Sequence, residues 1–353
     1  MARGLSKNHF ILSVNFNSRY ERFPLQKKSY SRKTLEEGIE EINLVDNLTT
    51  FARKAFSQIL TGELGYNSPF RMSINSNMRI LKKLIRISDA VIVSHSRVYN
   101  KLLDSLIEDK ILIYDAADFD YELYRELGKS SELLGEVYDN EKSLCIRSDL
   151  ILASSNRDKD NMTETYDLNE DKVVLAPHPI PDETEPKYVP SNRDFGFFIG
   201  SRYDPNIEAA ERIIEVARSM PQEQFVIAGT VCRELTDCPE NISLEGFVEE
   251  SRKEELLSRA KFGLNPVTRG SGANVKILDY FRFGLPVIST PKGERGGFSS
   301  YTKTCEAEQL VSAIRELDED ELESLHNKSL EAIEEYSVNR ICGKIERNLR
   351  NLR

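Results

Sequence analysis

Apolar positions along this chain fall into short β-branched and aromatic runs separated by stretches of helical period. Phe10 to Phe16, Ser88 to Ser94, Lys110 to Asp115 and Arg147 to Ser155 each have the density of a strand buried on both faces. A helix is predicted from about Val98 to Ile107. In the second half Pro286 to Thr290 is a further short β-branched run that suits a buried parallel strand. Strands alternating with helices predict an α/β protein built on parallel sheets. A chain of 353 residues exceeds what one hydrophobic core usually supports. The Pro-rich, acidic stretch from Pro177 to Pro190 is the natural place to divide it.

The densest information lies between Asn265 and Gly297, NPVTRGSGANVKILDYFRFGLPVISTPKGERGG. Gly270, Ser271, Gly272, Ala273 and Asn274 form a small-residue loop that lets backbone approach a ligand without interference from side chains. Ala273 to Arg282 reads as a helix with Val275, Ile277, Leu278 and Phe281 as its apolar stripe, stopped by Gly284-Leu285-Pro286. The loop therefore feeds a helix N-terminus, which attracts phosphate through unpaired N–H groups and the helix dipole. Lys276 on the first turn adds a full positive charge, and Asp279, three residues on, offers a carboxylate to ribose hydroxyls. A second glycine loop, Gly293 to Gly297, follows the strand at the end where open α/β sheets bind ligands.

Taken in order, these residues resemble the retaining GT-B glycosyltransferases of the large group that includes bacterial sugar and mannosyl transferases. Asn265-Pro266, Gly270 to Gly272, Lys276 to Asp279 and Gly284 to Thr290 follow that group's strand, glycine loop, Lys-x-x-Glu helix and GxPVV(S/A)T strand. Phe197 to Ser201, the Asp204 helix, Phe225 to Gly229 and Leu244 to Val248 resemble its upstream landmarks. Glu136 through Glu141 to Ser155, with Tyr166, Lys172 to Val174 and Pro177-His178-Pro179, resembles the passage leading to its interdomain linker.

The resemblance implies two Rossmann-like doubly wound domains facing across a cleft. The acceptor-side domain spans residues 1–180, a linker 181–192, the nucleotide-sugar domain 193–336, and a C-terminal helix 337–353 returns to the first domain. It implies transfer of a sugar from a UDP- or GDP-linked donor to a glycan, lipid-linked or other acceptor, with retention, without a metal and without a cofactor. Lys276 and Arg202 would stabilise the leaving diphosphate, and His95, directly after an apolar strand, would lie near the donor sugar. Gly200, Ser201, Gly246, Phe247, Gly270 to Asn274 and Asp279 would line the donor. Asp115 to Asp120, at another strand end, would meet donor or acceptor hydroxyls. The group's usual first acid falls on Gly272, and Asp replaces Glu at 279, so the sugar contacts lie elsewhere and the reach to ribose is one methylene shorter. That departure keeps open a catalytically idle nucleotide-sugar-binding or scaffold subunit, and, further off, a sugar-nucleotide epimerase.

Composition narrows the setting. Hydrophobic content of 39% with 30% charged residues reads as soluble and globular. No apolar run of membrane-spanning length occurs, and MARGLSKNHFILSVNF lacks the apolar core of a signal peptide, so a cytoplasmic location is expected. Five cysteines without regular spacing suggest a reducing compartment and no metal site. The formal charge is +7 over residues 1–110 and −17 over the rest, giving −10. The basic residues Arg19, Arg22, Lys27, Lys28, Arg32 and Lys33, and a second set, Arg79, Lys82, Lys83 and Arg86, predict contact with an anionic membrane surface. The pI near 5.2 and the lack of an aromatic–basic motif argue against nucleic acid.

Overall fold

The structure is a computed structural model of the chain. It describes residues 11–17, 30–36, 39–45, 68–181, 193–270 and 274–352, with side chains from residue 78 onward. The chain divides into two compact units. One comprises Met1–Ser154, Asp158–Ala176 and Cys342–Arg353, the other Ser155–Arg157 and Pro177–Ile341.

In the first unit, β1 (Ile11–Asn17), β2 (Tyr30–Glu36) and β3 (Ile39–Val45) form a sheet of their own in the order β1-β3-β2. The strand expected at Phe10 to Phe16 is thus present as β1, but it pairs with β3 in this mixed sheet. After α1 (Ser68–Ile87) comes a four-stranded parallel sheet of β4 (Ala90–Val93), β5 (Ile111–Ala116), β6 (Leu150–Ala153) and β7 (Val173–Leu175), in chain order. Its connections are α2 (Lys101–Leu106), α3 (Asp120–Glu126), α4 (Ser131–Arg147) and α5 (Asn156–Tyr166). Leu112, Ile151 and Tyr114 of the sheet are closed over by Leu81 and Ile85 of α1, Leu144 of α4 and Met162 of α5.

Two predicted elements are shorter here. The helix read from Val98 to Ile107 is interrupted, with a 3-10 turn at Ser96–Val98 and α2 starting only at Lys101. Asn100 causes the break: its side-chain oxygen accepts from Leu102 N at 3.0 Å and Leu103 N at 3.2 Å, capping a new helix start. The strand read from Arg147 to Ser155 begins at Leu150, because Arg147 is the last residue of α4 and its guanidinium donates to the Ile107 and Glu108 carbonyls.

The second unit is a six-stranded sheet of β8 (Phe195–Ile199), β9 (Gln224–Ala228), β10 (Ile242–Gly246), β11 (Ala260–Asn265), β12 (Val287–Ser289) and β13 (Lys303–Thr304). Every pairing is parallel, and the order is β10-β9-β8-β11-β12-β13. Its helices are α6 (Asp204–Ser219), α7 (Glu250–Arg259), α8 (Lys276–Arg282), α9 (Leu310–Arg315) and α10 (Glu319–Glu335). A last helix, α11 (Val338–Asn351), ends the chain. The helix predicted from Ala273 starts at Lys276, and Val275 is 46% exposed at its cap and does not join the apolar stripe. Gly284 ends the helix with φ +63, the left-handed stop expected of its position.

From β8 the chain winds outward through β9 and β10, then returns to place β11 on the other side of β8. The carboxyl ends of β8 and β11 therefore flank the topological switch point, where sheets of this kind leave a crevice. Among the described residues no helix is long and apolar enough to cross a membrane.

Candidate functional site

Both strands at the switch point end in residues marked by the sequence. After β8 come Gly200 and Ser201, then α6, whose first turn holds Asn206. After β11 the loop runs to Gly270, resumes at Asn274 and enters α8 at Lys276. Ser271, Gly272 and Ala273 lie outside the described residues.

Lys276 is the chemical centre. Its ammonium donates to Asn206 Oδ1 at 2.8 Å and lies 4.4 Å from the centroid of the Phe198 ring. Phe198 is wholly buried on β8, so the cation rests on the hydrophobic core. No carboxylate among the described residues forms an ion pair with it. Although part of the side chain reaches solvent, burial of the ammonium pulls its pKa from 10.5 down to about 7. A cation held by one neutral oxygen and an aromatic face is electrostatically incomplete, and an anion at the switch point would complete it.

Asp279, one turn on, faces a different neighbour. Its Oδ2 accepts from Lys253 Nζ of α7 at 3.1 Å, and Lys253 also pairs with Glu250 at 3.0 Å. Burial works against the Lys253 charge, but the two carboxylates outweigh it and hold its pKa above the ordinary value.

The floor of the crevice is backbone. Gly229 has φ +95, and a Cβ there would lie 2.2 Å from the Gly200 carbonyl oxygen, so a side chain would drive the ends of β8 and β9 apart. Gly229 N also donates to Gly246 O at 2.6 Å, placing Gly246 on the same rim. The next residue, Phe247, is 72% exposed, and Tyr203, before α6, is 39% exposed. The Phe247 ring, left in water just after a parallel strand, is available for stacking. Ser201 is exposed and accepts from Asn206 Nδ2 through its carbonyl and hydroxyl oxygens, each at 3.2 Å.

The second glycine loop supports the first. Asn265 Nδ2 and Asn274 Nδ2 both donate to the Gly293 carbonyl at 2.9 Å. A Cβ at Gly293 would sit 2.4 Å from Ser289 Oγ and 2.6 Å from Asn265 Nδ2, so only glycine fits. Arg295 donates to the Gly270 carbonyl, tying the two loops directly.

The remaining predicted residues have neighbours of their own. Arg202 is exposed and paired with Glu234 at 2.5 Å. His95 belongs to the first unit, where it is half-buried at the head of the Ser96–Val98 turn and makes no capping bond with its side chain. That turn is fixed from beneath. Asp120 Oδ2 accepts from Ser96 Oγ at 2.7 Å and Ser96 N at 3.2 Å, so the buried Asp120 anchors backbone and is closed to substrate hydroxyls. Glu141 of α4, wholly buried, accepts from the Asp120 and Tyr121 amides and from the Tyr114 and Tyr166 hydroxyls at 2.7–3.1 Å. It caps α3, whose own cap residue Phe119 has no side-chain acceptor to offer. Asp115 accepts from Ser94 Oγ at 3.3 Å. Among the described residues no cluster of His, Cys, Asp and Glu could hold a metal ion.

Residues 195–320 match the family model for glycosyl transferases group 1. No curated protein matches the chain by sequence. Among solved structures it is similar to sucrose-phosphate synthase from Thermosynechococcus elongatus, with a TM-score of 0.72 and 12% identity over 99% of this chain and 91% of that one. It is also similar to trehalose-6-phosphate synthase from E. coli bound with UDP-2-fluoro glucose, with a TM-score of 0.68 and 9% identity over 98% and 94%. A third is the apo lipopolysaccharide outer core galactosyltransferase WaaB, with a TM-score of 0.59 and 11% identity over 89% and 85%. The fold is GT-B, and residues 195–320 carry a domain similar to glycosyl transferases group 1. Lys276, Asp279, Gly200 and Gly246 all lie within the matched residues.

Proposed function

We propose that the protein transfers a sugar from a nucleotide diphosphate donor, UDP- or GDP-linked, to a glycan or lipid-linked acceptor, with retention of configuration. The observation that carries this reading is the Lys276 ammonium, set at the switch point without a carboxylate partner among the described residues. A diphosphate leaving group accumulates negative charge as the glycosidic bond breaks, and a desolvated cation already in place lowers that barrier without reorganisation. Side-chain charge then serves where other enzymes use a metal. Asp279 holds ribose, Phe247 offers a face to the base, and backbone of the Gly200 and Gly270 loops meets phosphate and sugar. His95 contacts the donor sugar. Arg202 joins the diphosphate after leaving Glu234.

Incubation with a panel of UDP- and GDP-sugars, followed by assay of nucleoside diphosphate release, tests the reading. Release from at least one donor is expected. Binding of a nucleotide sugar with no release, with or without glycan and lipid-linked sugar acceptors, would identify the idle subunit instead.

A further reading concerns where the protein works. Arg79, Lys82, Lys83 and Arg86 are all exposed on α1, at spacings that share one helix face, and none forms an ion pair among the described residues. Helix α1 contains no acidic residue, and Ile87 at its end is 76% exposed. This face suits an anionic lipid surface. Co-sedimentation should favour vesicles containing phosphatidylserine over neutral ones, and replacing the four cations with glutamine should abolish the difference. Equal sedimentation of the unaltered protein with both vesicle types would remove this reading.

A further inference from the structure

We infer that Lys253 is a positioning residue for ribose recognition, holding the Asp279 carboxylate so that its second oxygen is presented to the sugar of the nucleotide. The inference rests on the reading of Asp279 as the ribose contact and adds the residue that makes a shortened side chain adequate.

An aspartate at the end of the first turn of α8 has one methylene less than a glutamate. Two torsions decide where its oxygens go, and the carboxylate torsion is soft. In this structure that freedom is removed from one side. Lys253 Nζ lies 3.1 Å from Asp279 Oδ2, reaching across from α7, while Oδ1 accepts no hydrogen bond among the described residues. The lysine is itself held: its side chain is 16% exposed, and its second ionic contact, 3.0 Å to Glu250, fixes it from its own helix. The Asp279 side chain is 33% exposed, so the unengaged oxygen reaches solvent.

A partly buried ion pair of this kind contributes little stability by itself, because desolvation of both charges offsets their attraction. Its geometric effect is larger, because a carboxylate with one oxygen pinned presents the other in a single orientation. Two vicinal hydroxyls approaching Oδ1 would meet an acceptor already aimed, with less rotamer entropy to lose on binding. The pairing also leaves Lys276 alone. The two lysines divide the work, Lys253 neutralising the carboxylate and Lys276 facing the anion.

The test is discrimination between ribose and deoxyribose. Binding of UDP and GDP is measured by titration calorimetry beside their 2′-deoxy and 3′-deoxy forms. For whichever base binds, loss of a held hydroxyl should weaken binding about tenfold. Asp279→Ala should abolish that discrimination, Lys253→Met should reduce it to about twofold, and Lys253→Arg, which keeps the cation, should restore most of it. A purely structural Lys253 would alter melting temperature in the methionine variant and leave the ribose-to-deoxyribose ratio untouched, and that result overturns the inference while the Asp279 reading stands. If neither the unaltered protein nor Asp279→Ala distinguishes ribose from deoxyribose, the ribose reading fails and the role of Lys253 fails with it.

Discussion

Lys276→Met should raise the melting temperature by a few degrees, remove the stabilisation given by nucleoside diphosphate, and lower turnover by about 100-fold or more. Opposite signs on stability and function are expected because the ammonium is a cost to the folded state until a ligand arrives. Methionine matches the volume of the chain and carries no charge to desolvate. The pH dependence follows from the same shift. With a pKa of 10.5 when unfolded and about 7 when folded, the native protein binds fewer protons than the unfolded chain between those values. Stability contributed by this site therefore rises as pH climbs from about 7 towards 10.5, and the full cost is present below about 7. The methionine variant should lose that slope. Calorimetric scans with and without UDP or GDP read both effects. A variant that melts with the unaltered protein and still responds to nucleotide would take Lys276 out of the site.

The second large effect is expected in the other unit. Glu141→Ala leaves two buried tyrosine hydroxyls and two amides at the start of α3 without their acceptor. The cost should be about 3–5 kcal/mol, enough to melt the surrounding sheet before the rest. Burial, and then the neighbouring Asp120 charge, push the Glu141 carboxyl up to about 8 against the pull of its donors. The native state accordingly holds more protons than the unfolded one between about pH 4.5 and 8, and this contribution is full below that window and lost as pH rises through it. Glu141→Gln should flatten the dependence at much smaller cost than alanine. Urea titrations followed by circular dichroism across that range decide the matter, since a Glu141→Gln variant with the slope of the unaltered protein would contradict the assignment.

How far this could be read from sequence depended on the range of the interactions. Strands such as Phe195–Ile199 and Leu150–Ala153 are legible because a parallel strand covered on both faces is a continuous apolar run. β2 and β3 were not, since their runs mix Arg32, Lys33, Glu40 and Glu41 with the apolar residues. In the site, Lys276 and the glycine loops stood out by local spacing. Asn206 and Lys253 did not, because they act across 70 and 26 residues of sequence. An Asn in a first helical turn, or a Lys on a charged helix, looks the same whether or not a distant side chain meets it. Asp120 misled for the related reason that a carboxylate opening a helix just beyond a strand can turn inward to hold backbone.

The contact between Lys276 and Phe198 has a consequence for the speed and cost of recognition. A lysine on an open surface samples many rotamers, and fixing it around a ligand costs about 2 kcal/mol of conformational entropy. Here the alkyl stem and ammonium are seated on a ring that belongs to the interior of the second unit. The ordering of that side chain is settled when the chain folds, before any nucleotide arrives. The stiffness of the hydrophobic interior is thereby lent to a charged group, and a diphosphate meets a cation that has almost no motion left to lose.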